Sequence, residues 1–283
     1  MNRSYLLGFV VLLAACASDD PKDKPSSGEF DVLNYNVAAF PPGVKEADPG
    51  IRIEQIAPLL TPFHIAGLQE VWHTEYYDVL ADGSGAATQV RFDEPLAGRL
   101  YGSGLAVFSS FELVDFDHVN FELCEGFIDS ASDCLASKGF QMIRLKLANG
   151  AELDFYNTHL EAGKGDLDLA ARDDHVDHLL ASINGQSADR AIILVGDLNL
   201  HDDEPAQNIQ LERLIGESNF RDSCDEIDCE EPGHIERLFM RDGGGVTLSS
   251  LSWNSDDDFF DSDGLGLSDH PAIRARFSWQ TKP

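Results

Sequence analysis

Seven polar residues stand where apolar runs give out: Asn36, Glu70, His159, Asp197, Asn199, Asp269 and His270. Carboxylates, neutral amides and imidazoles are the side chains that hold a hard divalent cation, align a water and move protons around a phosphoryl group. The sharpest of these stretches is Ile192-Ile193-Leu194-Val195-Gly196-Asp197-Leu198-Asn199. Its four apolar residues read as a strand buried on both faces, and Gly196 admits a turn. The two-residue period of a strand then puts Asp197 and Asn199 on one face at its end. A strand that merely closes in an Asp/Asn turn has the same local pattern. The chemistry therefore rests on the seven residues meeting, which is a matter of the elements that carry them.

Those elements can be placed from periodicity. Residues 30–37 alternate as a strand that carries Asn36 near its end, residues 51–60 have helical spacing, and a second strand over 65–70 ends on Glu70. Residues 101–110 form an apolar strand opened by glycines, expected to pair with 140–147, and a strand over 153–160 delivers His159. A helix over 166–183 turns Leu169, Val176, Leu179, Leu180 and Ile183 inward, with Asp173, Asp174, His175 and His178 expected on its solvated face. After the central strand come a helix over 206–215, strands over 234–240 and 246–253, and a closing strand over 272–277. Helices and strands alternate irregularly, with hairpins as well as crossovers, so the expected class is α/β with mixed sheets packed as a sandwich. In such folds strand ends gather at one edge and build the site.

Composition bounds the rest. With 283 residues, 43% of them hydrophobic, and no internal repeat, the chain suits one domain, placed at residues 29–280. A formal net charge of −30 repels polyanions and counts against nonspecific nucleic-acid binding. Arg3 followed by an apolar run over 5–13, too short to span a bilayer, reads as a targeting segment over residues 1–16. It ends Leu13-Ala14-Ala15-Cys16, which resembles the bacterial lipobox, whose cysteine is lipidated and becomes the new N-terminus. An ordinary Ala-x-Ala-like cleavage site is the alternative. Residues 17–28 read as a flexible tether. The expected location is the outer membrane or cell surface, or the medium if Cys16 is not lipidated. In that oxidising setting Cys124 with Cys134, and Cys224 with Cys229, read as short-loop disulfides; neither pair has zinc-site spacing.

Five segments taken in order carry a resemblance: Asn34-Tyr35-Asn36, Gln69-Glu70, Asn157-Thr158-His159-Leu160, Gly196-Asp197-Leu198-Asn199 and Ser268-Asp269-His270. The set resembles the endonuclease/exonuclease/phosphatase superfamily. Residues 102–109 and 135–140 are similar to its bacterial neutral sphingomyelinase/phospholipase C branch. The resemblance implies a four-layer α/β/β/α sandwich and hydrolysis of a phospholipid phosphodiester, sphingomyelin first, at a membrane surface and with no obligate protein partner. It also implies Mg²⁺, with Mn²⁺ or Ca²⁺ as alternatives, on Glu70 with Asn36 and Asp269 nearby. Asp197 would position or deprotonate the water, Asn199 would bond the phosphoryl group and His159 would donate to the developing charge. His270, held by Glu236, would serve as acid or base. Glu236 departs from the aspartate usual in the family and reaches further. Lys138 lies where the family binds phosphate, although a loop lysine before a glycine turn fits as well. Phe259 and Phe260, in an acidic loop before Ser268, match a membrane-dipping hairpin; the alternative is that one of the two rings tucks back onto the sandwich. A nuclease of the same fold, which would take nucleic acid as its partner, is the alternative enzyme. A lipid-anchored binding protein without catalysis is the other class.

Overall fold

The computed structural model describes residues 25–41, 49–126, 133–229, 231 and 233–282. Cys16, the targeting segment and most of the tether lie outside the described residues. The chain runs β1 (Ser27–Ala39), α1 (Gly50–Leu59), β2 (Ile65–Val71), α2 (Thr74–Ser84), β3 (Thr88–Phe92), β4 (Leu105–Ser109), β5 (Glu112–Phe121) and β6 (Lys138–Lys146). It continues with β7 (Glu152–His159), α3 (Asp166–Gly185), β8 (Ala191–Asp197), α4 (Pro205–Ser218), β9 (Arg221–Asp222), β10 (Glu236–Arg241), β11 (Val246–Ser255) and β12 (Ile273–Thr281). β1 thus starts at Ser27, just inside the stretch read as tether.

Two six-stranded sheets result, ordered β11-β12-β1-β2-β4-β3 and β5-β6-β7-β8-β10-β9. Each holds one parallel pair, β1 with β2 and β7 with β8, and each pair is joined through a helix, α1 or α3. Parallel neighbours need such a crossover, whereas the antiparallel ones do not. Alternation decides the layers. Phe30 and Val32 of β1 join Ile193 and Val195 of β8 in a core between the sheets. Leu33, Tyr35 and Val37 face the other way and pack with α1 and α2, while α3 and α4 cover the second sheet. The expected α/β/β/α sandwich is the fold observed. Both expected disulfides form, Cys124–Cys134 and Cys224–Cys229.

Three expectations need correction. β4 does not pair with β6: it lies between β2 and β3, and β6 lies between β5 and β7 in the other sheet. The intervening β5 is an exposed edge strand, so hydrophobicity did not mark it. The face of α3 carrying His175 is not wholly solvated. His175 is buried, stacked on Phe121 at 4.1 Å, with Nε2 3.0 Å from Leu123 O, because the chain after β5 folds over that helix; Asp173 remains exposed.

Phe259 is the third correction. It is 3% exposed and packs edge-on against Tyr35 at 5.0 Å, with Phe63 at 6.3 Å, so it belongs to the core under α1 and not to a membrane-facing tip. A 3₁₀ turn over Asp257–Phe259, with Asp256 accepting from the Asp258 N–H, turns the ring inward and leaves Phe260 46% exposed. Phe259→Ala should therefore destabilise the fold by about 3–5 kcal/mol in urea unfolding, whereas Phe260→Ala should change it little.

Candidate active site

Register alone brings three of the expected residues side by side. His159 of β7 is paired with Asp197 of β8, and Asp197 with Glu236 of β10. All three share the parity of the between-sheet core and so project into the cleft at its upper end. Gly139 pairs with His159, which places Lys138 beside it. From the other sheet Asn36 donates Nδ2–H to Asp197 Oδ2 at 3.0 Å, bridging the two. The sheets approach closely here: a Cβ on Gly67 of β2 would lie 2.5 Å from Val195 Cγ2 of β8.

Glu70 is placed differently. Strict alternation along β2 would send it toward the helix layer, with Ala66 and Leu68. Its backbone instead adopts φ +63°, a left-handed conformation that costs a non-glycine residue on the order of 1 kcal/mol. That twist re-aims the carboxylate into the site. Glu70 Oε2 is buried with no hydrogen-bond partner among the described residues. Burial pushes the carboxyl up to about 7, against the opposing charge of Lys138. A buried, unpaired carboxylate oxygen is a standing cost that a hard cation would relieve, so the site fits such an ion. Asn36 keeps Oδ1 on the Ala38 N–H at 3.1 Å, and Asp269 lies exposed at the rim, one residue from Ser268, which donates to Asn36 O at 2.7 Å. Asp197, Glu236 and His270 also offer ligand atoms within 4.8 Å of one another.

The two histidines sit in opposite states. His270 Nδ1 is 2.7 Å from Glu236 Oε1 and 3.7 Å from Asp197 Oδ2. Burial works against its charged ring, but the bond to Glu236 and the charges of Asp197, Glu236 and Glu70 outweigh it and push it up to about 9. An imidazolium therefore already fills the charge pocket between Asp197 and Glu236, which leaves Glu70 as the better cation ligand. His159 is held well below the usual range by burial, with the charges of Lys138 and His270 adding to it. Lys138, buried, has its Nζ 2.8 Å from His159 Nε2 and 3.4 Å from His159 Nδ1, and Asp197 Oδ2 lies 3.5 Å from the same Nε2. The longer Glu236 side chain reaches its histidine without difficulty. Burial also pushes the Asp197 carboxyl up, with His270 as the main opposing charge, and its Oδ1 accepts the Asn199 N–H at 3.2 Å. The Asn199 side-chain amide donates to Leu160 O at 3.3 Å.

Three amides below the site were not assigned a role from sequence. Gln69 Nε2 donates to Asn34 Oδ1 at 2.9 Å and to Asn157 Oδ1 at 2.7 Å. Asn34 Nδ2 donates to Gly196 O at 3.0 Å, and Asn157 Nδ2 to Leu68 O at 2.9 Å. All three are fully buried and tie the strand ends of Glu70 and Asp197 together across the sheets. Their signal was available: they are polar residues at core-facing positions of otherwise apolar strands. Arg52 adds a clamp from α1, donating to Leu267 O and Ala38 O on either side of the site. Lys138 begins a strand and is buried, so the loop-lysine reading fails. Phe260 lies outside this cluster, and Phe259 beneath it.

The raised Glu70 carboxyl gives a test that does not need turnover. Its folded value exceeds the ordinary 4.5, so its contribution to stability is full below pH 4.5 and is lost as pH rises through about 7. A divalent cation relieves that loss only where Glu70 is ionised. Millimolar Mg²⁺ should raise the melting temperature by several degrees at pH 8 and by much less at pH 5.5. Glu70→Gln should remove the difference between the two pH values.

Comparison with known proteins agrees with the geometry. The endonuclease/exonuclease/phosphatase family profile matches residues 33–270. A sphingomyelinase of Mycobacterium tuberculosis is 28% identical over 269 residues, covering 87% of this chain and 52% of its own. The chain thus spans about half the length of the first curated relatives it matches. Among solved structures, sphingomyelinase C from Streptomyces griseocarneus superposes with a TM-score of 0.66 at 17% identity, covering 88% of this chain and 99% of that one. A magnesium-bound variant of beta toxin from Staphylococcus aureus superposes with a TM-score of 0.68 at 13% identity, covering 90% and 100%. With its five motifs converging on one cleft and the profile spanning most of its length, the chain belongs to the endonuclease/exonuclease/phosphatase family.

Proposed function

We propose that the protein is a metal-dependent phosphodiesterase that hydrolyses phospholipid head groups, with sphingomyelin as its substrate and ceramide and phosphocholine as products. The observation that carries this reading is the meeting in one cleft of two buried carboxyl groups, Glu70 and Asp197, with His270 bound to Glu236 and the buried Lys138 against His159. The sphingomyelinases among the relatives support the choice of substrate, as does the net charge of −30, which a zwitterionic head group tolerates better than a nucleic acid does.

Asp197, aligned by Asn36 and Asn199, accepts a proton from the attacking water as its oxygen bonds to phosphorus. The bond from phosphorus to the ceramide oxygen breaks, and His270, oriented by Glu236, donates its Nε2 proton to that leaving oxygen. Lys138 swings from His159 onto a non-bridging phosphoryl oxygen, and Asn199 bonds another. His159, relieved of Lys138, can then donate to the same phosphoryl group. Mg²⁺ held by Glu70, with Asn36 and Asp269 beside it, would neutralise charge on the phosphoryl group.

Membrane contact falls to Phe260 and Leu265, 46% and 67% exposed at the turn that closes before Ser268. Phe260→Ala/Leu265→Ala should lower activity on sphingomyelin liposomes on the order of tenfold and leave hydrolysis of a soluble phosphocholine ester within twofold. Equal losses on both substrates would remove the turn from the docking role. The reading as a whole is tested by offering purified protein with Mg²⁺ sphingomyelin, phosphatidylcholine and plasmid DNA in parallel. Release of phosphocholine from sphingomyelin with intact plasmid is the expected result; nicked plasmid with intact lipid would make the protein a nuclease.

A further inference from the structure

Lys138 begins β6, which lies between β5 and β7. Register makes Phe121, at the end of β5, its partner, and sets Gly139 against His159 at the end of β7. The contact between Lys138 and His159 therefore depends on how the two flanking strand ends are held. One helix reaches both. Arg172 and His175 lie one turn apart on α3, and both are buried. Arg172 donates Nη1–H to three successive carbonyls beyond His159: Glu161 O at 2.8 Å, Ala162 O at 3.1 Å and Gly163 O at 3.0 Å. His175 joins that loop to the segment after β5. Its Nδ1 accepts the Glu161 N–H at 3.4 Å, its Nε2 lies 3.0 Å from Leu123 O, and its ring stacks on Phe121 at 4.1 Å. A backbone N–H only donates and a carbonyl only accepts, so this ring is neutral with its proton on Nε2. Burial pushes it down to about 3, and the charges of Lys138, His178 and Arg172 add to that against the bond to Leu123. Glu161, also buried, strengthens the span by accepting the Glu125 N–H on Oε1 at 2.7 Å.

We propose that His175 is a positioning residue for the reaction: by tying the segment after β5 to the loop after β7, it sets the Lys138 ammonium against His159. The proposal rests on the phosphodiesterase reading, in which Lys138 meets a phosphoryl oxygen. His175 itself stays in the wall behind that contact. The Cys124–Cys134 disulfide joins the end of β5 to the approach of β6, and Arg172 holds the loop after β7. Neither of these links β5 to β7. His175 and Glu161 make that link, across the strand that carries Lys138. Loosening it should misplace the ammonium before it unfolds the sheet.

The test is a double-mutant cycle in the full chain with Mg²⁺, read as kcat/KM on bis(p-nitrophenyl) phosphate and on sphingomyelin. His175→Asn keeps an acceptor for the Glu161 N–H but is too short to reach Leu123 O. His175→Gln restores a donor of the right reach. The Asn variant is expected to lower kcat/KM on the order of tenfold, and the Gln variant to recover it to within about threefold. In a Lys138→Met background, His175→Asn should cost less than about twofold, because the group it positions is gone. A residue that merely supports the fold would take the same factor from both backgrounds, and that result would overturn the proposal. So would an unchanged kcat/KM in His175→Asn, or an equal loss in His175→Gln. A parent that cleaves the synthetic diester and leaves sphingomyelin intact would overturn the sphingomyelin reading, while the cycle is still read on the diester.

Discussion

Asp197→Asn is expected to lower kcat by 10²-fold or more while KM changes little. The substitution keeps the shape of the side chain and leaves an oxygen to accept from Asn36, which now bonds Asp197 Oδ2 at 3.0 Å. What it removes is the ability to take a proton from water, an interaction made in the transition state and not in the bound substrate. Stability should move the other way or stay level. Burial pushes the Asp197 carboxyl up, so its charge is held in the fold at a cost that a neutral amide does not carry. A variant that melts no lower than the parent yet turns over at least a hundredfold more slowly would separate the chemical role from a structural one. Turnover within tenfold of the parent would take Asp197 out of the reaction.

Chelation is expected to have the largest effect of all. EDTA should reduce turnover to background, and Mg²⁺ should restore it fully, with Mn²⁺ or Ca²⁺ as the comparison ions. The reason lies in Glu70. Its re-aimed backbone at φ +63° and its buried Oε2 without a partner are both unfavourable alone and make sense together only if a cation completes the site. Lys138 and the charged His270 supply positive charge nearby, but both are already engaged, with His159 and with Glu236. Among the described residues neither bonds the Oε2 of Glu70. Full activity in EDTA would assign charge stabilisation to Lys138 and His270 instead. Glu70 would then be a residue whose strain has no account.

Asn36, Glu70, His159 and Asp197 were legible because each lies at or near the end of an apolar strand, and strand ends in layered α/β folds share an edge; Asp269 and His270 sit in the loop that leads into β12. The helices α1 and α3 and a mixed-sheet sandwich followed from periodicity, and the four-layer packing came with the family resemblance. Their limits are equally physical. β5 is exposed along most of its length, so an alternation rule tuned to buried faces passes over it, and the pairing of β4 was misassigned in consequence. His175 looked solvent-facing because its helix neighbours are charged. Phe121, Leu123 and Glu161, all distant in sequence, pack on it. Phe259 and Phe260 are adjacent and identical in type, and their separation into core and surface depends on one 3₁₀ turn. The left-handed backbone of Glu70 has no local signature at all. Without it, alternation would have pointed the carboxylate at the helices.

The division of labour around phosphorus is tested most directly by hydrolysis in water enriched in oxygen-18. Asp197 activates water for attack on phosphorus, and the ceramide oxygen leaves with a proton from His270. Mass spectrometry of the products after sphingomyelin turnover should therefore find one labelled oxygen in phosphocholine and none in ceramide. Label in ceramide, or release of any product other than phosphocholine and ceramide, would contradict the account.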